Sequence, residues 1–402
     1  MSNGDTPKVL MIAYACNPEG GGEHWLGWRW AEEASKKYSV HLITTPNARA
    51  QVEKHATSHG IIPYFVEQPR GGRWGRKIRW QSRVLKFASE LHTRKHFRIV
   101  HQTTFHTFRV PFLAADLGIP SVWGPVAGGE AVPAGFGGYL GPARFGETMR
   151  KLVNQLCLRL PAISRSMNRS SVIFVSNQTT LNFLPPNVRH KCLVVSPNAL
   201  RPEDEMPMPS VARTPDQSSG LRLLYVGNCA HTRAMRIVFE AMTRGGLEKC
   251  RLTVAGTGEA LNHWKQCASH LGLGKRVHFT GFVTRDKLPE LYGTADVLVF
   301  PALRDSGGSA LLEAMSKAIP VICLDWGGPG EMVNEQSGVK IPVSTPAKTV
   351  AAFAEGLRQL EQDSGWRREL CVGARLRACS HFTWANKRRL LEDTYDRLLS
   401  SS

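Results

Sequence analysis

The chain has no long apolar run. Nowhere does it reach the roughly 18 consecutive apolar residues that a transmembrane helix needs, so none is expected. The opening, Met1 to Pro7, carries Asp5 and no apolar core, and it does not read as a secretory signal. The nine cysteines are odd in number and contain no Cys-x-x-Cys pair, which excludes a disulfide framework or a cysteine zinc site as the organising principle. A reducing, cytoplasmic compartment suits them better. Acidic residues are scarce, 33 against 51 Lys+Arg, and the formal charge of +18 is uneven: residues 1–200 carry +14 and the rest +4. A basic first half calls for an anionic partner, whether nucleic acid, a phosphate-rich substrate or an acidic membrane surface. The chain otherwise has the balance of a folded protein, 42% hydrophobic and 21% charged, and 402 residues favour two domains over one.

Short apolar segments alternate with helical patterns. Val9–Ala13, Val40–Thr44, Ile61–Val66, Ile99–Val100, Ser121–Trp123, Val172–Val175 and Leu193–Val195 are expected strands of a first half. Residues 202–220 are rich in Pro, Ser, Asp and Glu and read as a linker. The alternation then restarts with Leu223–Val226, Leu252–Ala255, Val277–Phe279, Val297–Phe300 and Val321–Ile322. Such alternation gives α/β domains with doubly wound parallel sheets, which bind ligands at the carboxyl ends of their strands. The expected division is an N-terminal Rossmann-like domain over 1–205, completed by a C-terminal helix in 384–402, and a second Rossmann-like domain over 206–383.

The densest chemistry lies in Phe300–Glu331. A strand ends at Phe300, a polar loop Asp305-Ser306-Gly307-Gly308 follows, and a helix opens near Ser309 with Leu311, Leu312 and Met315 on its apolar side. Free N–H groups and the positive end of the helix dipole make that helix start an anion site, fit for a diphosphate. Asp305 and Glu313 are suited to accept hydrogen bonds from sugar hydroxyls. A plain strand–loop–helix, with Asp305 near the cap and Glu313 solvated, is the bland alternative.

This stretch resembles the signature of family 4, or group 1, glycosyltransferases. Two acidic residues separated by seven, Asp305 and Glu313, are followed by Ala314-Met315 and Ala318-Ile319-Pro320-Val321. The family usually has Glu at the first position. Gly281-Phe282-Val283 resembles the family's base-contacting turn, Ala255-Gly256-Thr257-Gly258 its glycine loop, and Phe382-Thr383-Trp384 with Tyr395 its C-terminal helix. The resemblance implies the GT-B architecture of two Rossmann-like domains across a cleft. It also implies a nucleotide-diphosphate sugar as donor, retention of configuration, and no cofactor or metal. The absence of any Asp-x-Asp agrees with metal independence.

The resemblance also implies residue roles. Glu313 holds the donor ribose, Asp305 lies near the sugar, and Arg233 holds the diphosphate with the backbone of Ser309, Ala310 and Leu311. Gly227, Asn228, Gly256, Phe282 and Val283 complete the donor site. Asn228 stands where the family usually has an arginine, and His231 beside it reads either as a helper or as a solvated loop histidine. Lys317 is expected to pair with Glu313, four residues earlier. In the first half, Gly20-Gly21-Gly22 follows the first strand where the family keeps a loop near phosphates and acceptor; a tight turn is the plain alternative. No His stands at the family's usual acceptor position. His101 and His106 flank the preceding strand, and Glu130 lies in the loop beyond; each has a structural role as its simpler reading.

Residues 70–98 hold ten Lys+Arg against Glu90 alone, with Trp80, Val84, Phe87 and Leu91 at helical spacing. This helix either packs its apolar face on the sheet or rests on anionic lipid, where each cation contributes about 1 kcal/mol. Six more cations lie between Arg144 and Arg169. The expectation is a cytoplasmic enzyme, peripheral on the inner face of the membrane. It would glycosylate a glycan or lipid-linked acceptor in polysaccharide or glycolipid biosynthesis, without a nucleic-acid partner. A catalytically weak or inactive GT-B scaffold is the alternative; an epimerase or hydrolase on the same fold is a further one.

Overall fold

The computed structural model describes residues 6–205 and 220–401. Most of the expected linker, 206–219, and the opening residues 1–5 therefore lie outside the described residues; Pro202–Glu205 forms a short helix. The chain divides into two compact units. The first is built from residues up to 129, residues 152–197 and the stretch from 384 onward, and the second from 130–151 and 198–383. This differs from an uninterrupted first domain over 1–205: residues 130–151 pack with the second unit, and the second unit begins at Asn198. Phe136 and Leu140 explain the difference, since both are buried in the core cluster of the second sheet.

The first unit contains a parallel sheet of β1 (Lys8–Ala13), β2 (Ser39–Thr44), β3 (Ile62–Phe65), β4 (Ile99–Gln102), β5 (Ser121–Val126), β6 (Val172–Val175) and β7 (Cys192–Val194), in the order β3-β2-β1-β4-β5-β6-β7. Val9, Leu10, Met11 and Ile12 of β1 are all fully buried, as a strand covered on both faces requires. The helix Trp384–Ser400 belongs to this unit: Tyr395 is buried and its hydroxyl lies 2.7 Å from His101 Nδ1.

The second unit contains β8 (Arg222–Val226), β9 (Arg251–Ala255), β10 (Val277–Gly281), β11 (Val297–Phe300), β12 (Val321–Leu324) and β13 (Gly338–Ile341), in the order β10-β9-β8-β11-β12-β13. In both sheets the chain winds outward from the middle in two directions. The reversal falls between β1 and β4 in one, and between β8 and β11 in the other. β13 is absent from the sequence reading because Gly-Val-Lys-Ile is only four residues long, with a single polar residue between two apolar ones, too short to read as a pattern. It is fixed by pairing with β12, where a Cβ on Gly338 would stand 2.1 Å from the Val321 carbonyl oxygen. No helix among the described residues is long and apolar enough to cross a membrane.

Candidate functional site

Loops that leave β8 and β11 diverge, and this opens a crevice at the carboxyl ends of the second sheet. Val226, Gly227, Asn228, Ala255, Gly256, Thr257, Phe282, Val283 and Leu288 line a cavity of about 310 Å³ at the carboxyl ends of β8, β9 and β10, on the β8 side of that crevice. Five residues expected in the donor site, Gly227, Asn228, Gly256, Phe282 and Val283, thus come together in one cavity. Gly256 has φ +149°, and a Cβ on it would stand 1.9 Å from the Gly227 carbonyl oxygen, so only glycine lets the two loops approach. Backbone bonds stitch the loops: Cys229 N–H donates to Thr257 O at 2.8 Å and Gly256 N–H to Gly281 O at 2.8 Å. Phe282 is 75% exposed and offers an aromatic face for stacking on a planar ring.

On the β11 side, the helix Ser309–Ser316 starts at Gly308 with no side-chain cap. Its first turn presents the positive end of the helix dipole to the Asp305–Gly308 loop. Leu311, expected to offer its backbone N–H to a phosphate, donates it to Gly308 O at 3.3 Å. Asp305 Oδ1 accepts from Gly307 N–H at 2.8 Å, and the Asp305 carboxylate forms an ion pair with Arg233. Two groups expected to address sugar and diphosphate separately therefore address each other. Arg233 also lies over the Phe300 ring, 5.0 Å from its centroid.

Glu313 Oε2 accepts from the Tyr292 hydroxyl at 2.9 Å, and Oε1 lies 3.6 Å from Arg285. Burial, reinforced by Glu313, pushes the Tyr292 phenol well above its ordinary range, so it remains a donor. Lys317 does not pair with Glu313; it reaches Asp204 at 3.0 Å, a residue that also binds Arg285 at 3.1 Å. The reason is tertiary, since the short helix Pro202–Glu205 packs beside Ser309–Ser316. His231 is buried rather than solvated, lies beside His263 and is held below its ordinary pKa by that burial. Glu130 is also buried, and belongs to the second unit rather than to an acceptor loop of the first. Its carbonyl accepts from Arg150, which pairs with Glu147 at 2.7 Å.

In the first unit, Gly22 has φ +56° and turns the chain from β1 into the helix Glu23–Ser35. Gly20 and Gly21 precede it, and His106, in the loop beyond β4, donates its backbone N–H to Glu23 Oε1 at 2.9 Å. Burial lowers the His106 pKa, with Glu23 opposing. His101 is locked: Nε2 lies 2.9 Å from Gly124 O, a pure acceptor, so Nε2 carries the proton and Nδ1 accepts from Tyr395. Burial pushes its pKa down to about 4. The basic helix Arg73–Lys95 buries Trp80, Val84 and Leu91 in the core of this unit, with Phe87 packed against it. Those four residues are therefore not free to enter lipid; the outward side of that helix carries cations together with Trp74, 45% exposed, and Ile78, 41% exposed.

Residues 213–376 match the model of glycosyl transferases group 1. That stretch is a group 1 glycosyl transferase domain. An uncharacterised glycosyltransferase of Methanocaldococcus jannaschii is 29% identical over 167 residues, 41% of this chain and 42% of that protein. A D-inositol 3-phosphate glycosyltransferase of Salinispora arenicola is 37% identical over 123 residues, 30% of this chain and 26% of that one. The chain thus spans less than half the length of the curated relatives it matches. Among solved structures, Anabaena HepE in complex with UDP aligns over 97% of this chain and all of its own, with TM-score 0.64 at 15% identity. The fold of the group 1 domain and of its partner unit is GT-B.

Sequence reasoning missed Tyr292, Arg285 and Glu23. Tyr292 and Arg285 come from the segment after β10 and reach Glu313 only through the fold. Glu23 opens the helix after the glycine loop and carries no motif of its own.

Proposed function

We propose that the chain is a retaining, metal-independent glycosyltransferase. It moves a sugar from a nucleotide-diphosphate donor to a glycan or lipid-linked acceptor, in polysaccharide or glycolipid biosynthesis at the inner face of the membrane. The observation that carries this reading is the cavity at the carboxyl ends of β8, β9 and β10. There the glycine loops after β8 and β9 and the turn after β10 bring Asn228, Gly256 and exposed Phe282 together. A base stacks on Phe282, the ribose hydroxyls bond to Glu313, and the diphosphate lies against the uncapped start of Ser309–Ser316. Arg233 then exchanges part of its contact with Asp305 for the phosphate, and Asp305 turns to the sugar. The departing diphosphate takes the acceptor proton on its own face, so the chain supplies positioning and charge stabilisation rather than a nucleophile.

The Arg233–Asp305 pair favours a second reading, a weak or inactive GT-B scaffold in which these charges serve the fold. One measurement separates the two: thermal stability against UDP, GDP, ADP and CMP, each with magnesium and with a chelator. A ligand at about 100 times its dissociation constant stabilises by roughly 2.7 kcal/mol. A shift with one diphosphate that survives chelation supports the transferase. A shift that needs magnesium rejects metal independence, and no shift with any nucleotide favours the scaffold.

A further inference from the structure

The helix Ala143–Arg159 of the first half carries apolar residues where a surface helix is ordinarily polar. Within the first unit, Leu152 is 47% exposed, Val153 40%, Leu156 50% and the following Leu160 48%. These are not its core-facing residues. Asn154 is buried, and Cys157 and Leu158 pack against the core cluster. This segment thus has two sides: one is used inward, and the other presents four large aliphatic side chains to solvent.

Cations follow the second side along the chain. The helix Pro161–Arg169 follows directly, and Pro161, Ser164, Arg165, Asn168 and Arg169 line a groove of about 480 Å³. Arg165 and Arg169 lie 2.9 and 3.8 Å from Asp116 and remain 61% and 63% exposed, which leaves guanidinium donors turned outward. Residues 152–197 carry five Lys+Arg and not one Asp or Glu. The same core layer supports the helix Arg73–Lys95, whose exposed residues include Arg79, Arg83, Lys86, Arg94 and Lys95.

We propose that this face docks on an anionic lipid bilayer. Leu152, Val153, Leu156 and Leu160 enter the boundary between headgroups and acyl chains, and Arg159, Arg165 and Arg169 meet lipid phosphates. The charge argues for lipid over a second copy of the chain, which would bring like charges together beside the apolar strip. The contact differs from lipid binding through the apolar face of residues 70–98, since that face is inside the core. It rests on the placement at the inner face of the membrane proposed above and not on the sugar chemistry: loss of vesicle binding would remove that placement and leave nucleotide binding to be judged by the thermal shifts alone.

The test is co-sedimentation of the full chain, without nucleotide, with vesicles of phosphatidylcholine alone and of phosphatidylcholine mixed with phosphatidylglycerol. Binding is expected to the mixed vesicles only, and to weaken with salt. Leu156→Ser with Leu160→Ser should weaken it at least about tenfold at an unchanged melting temperature. Leu152→Ser with Val153→Ser is an independent second strip variant, and Arg165→Gln with Arg169→Gln should weaken binding as well. Wild-type sedimentation by both folded strip variants would overturn the proposal. So would equal binding to neutral vesicles, no binding at all, displacement by inorganic phosphate alone, or a wild-type dimer that the strip variants convert to monomer without any vesicle binding.

Discussion

Replacing Glu313 by glutamine asks the sharpest question of the donor site. The carboxylate is 13% exposed. One oxygen takes the Tyr292 hydroxyl at 2.9 Å and the other faces Arg285 at 3.6 Å. Spare lone pairs remain on both oxygens to accept from ribose hydroxyls. Glutamine keeps the shape, and its amide oxygen can still satisfy Tyr292, so folding should be little affected. What it loses is one ionised acceptor, and a hydrogen bond to a charged group contributes about 1.5–3 kcal/mol. The nucleotide diphosphate should therefore bind roughly 10- to 100-fold more weakly. Alanine is a poorer probe, because it leaves the buried Tyr292 hydroxyl without its acceptor and costs a further 1–3 kcal/mol or so of stability. The assay is calorimetric titration of the glutamine variant with whichever diphosphate stabilises the wild type, alongside its melting temperature. Affinity within about twofold of wild type in a variant of unchanged stability would refute ribose binding by Glu313.

Gly256→Ala puts a Cβ 1.9 Å from Gly227 O at φ +149°, so it should abolish the thermal shift given by the diphosphate; a wild-type shift would show that the two loops do not shape the site. Arg233→Met leaves Asp305, 7% exposed, without its cation and should cost about 3–5 kcal/mol in urea unfolding. Adding Asp305→Asn should recover much of that stability without restoring diphosphate affinity, whereas restored affinity would exclude Arg233 as a phosphate ligand. His101 stays neutral in the fold down to about pH 4 but takes a proton near pH 6.5 when unfolded, so the unfolded state binds more protons between those values. Stability should fall by about 3 kcal/mol as pH drops through that window, a slope that His101→Gln should reduce, and unfolding curves that coincide at pH 7 and 5 would contradict it.

Much of the second unit was legible in sequence because its signals are local. The strands β8 to β12, the glycine turns after β8 and β9, and the helix beginning at Ser309 all follow from short runs whose apolar pattern or backbone freedom needs no distant partner. The errors fall where a side chain chooses among partners. Lys317 has Glu313 one helical turn away, yet Asp204 reaches it through another helix. His231 reads as a polar loop residue until Gly141 and His263 close around it.

Sequence alone determined the two alternations of strand and helix, the group 1 signature at Asp305–Val321, the basic first half and the amphipathic helices, since periodicity, charge and motif spacing are properties of neighbouring residues. Tertiary structure decided which unit holds residues 130–151, that Arg233 meets Asp305, that Tyr292 supports Glu313, and that one apolar helix face is inside the core while another is open. The physical reason is that burial and ion pairing depend on which surfaces meet. A helical stripe records that a face is apolar, but only packing determines what covers it.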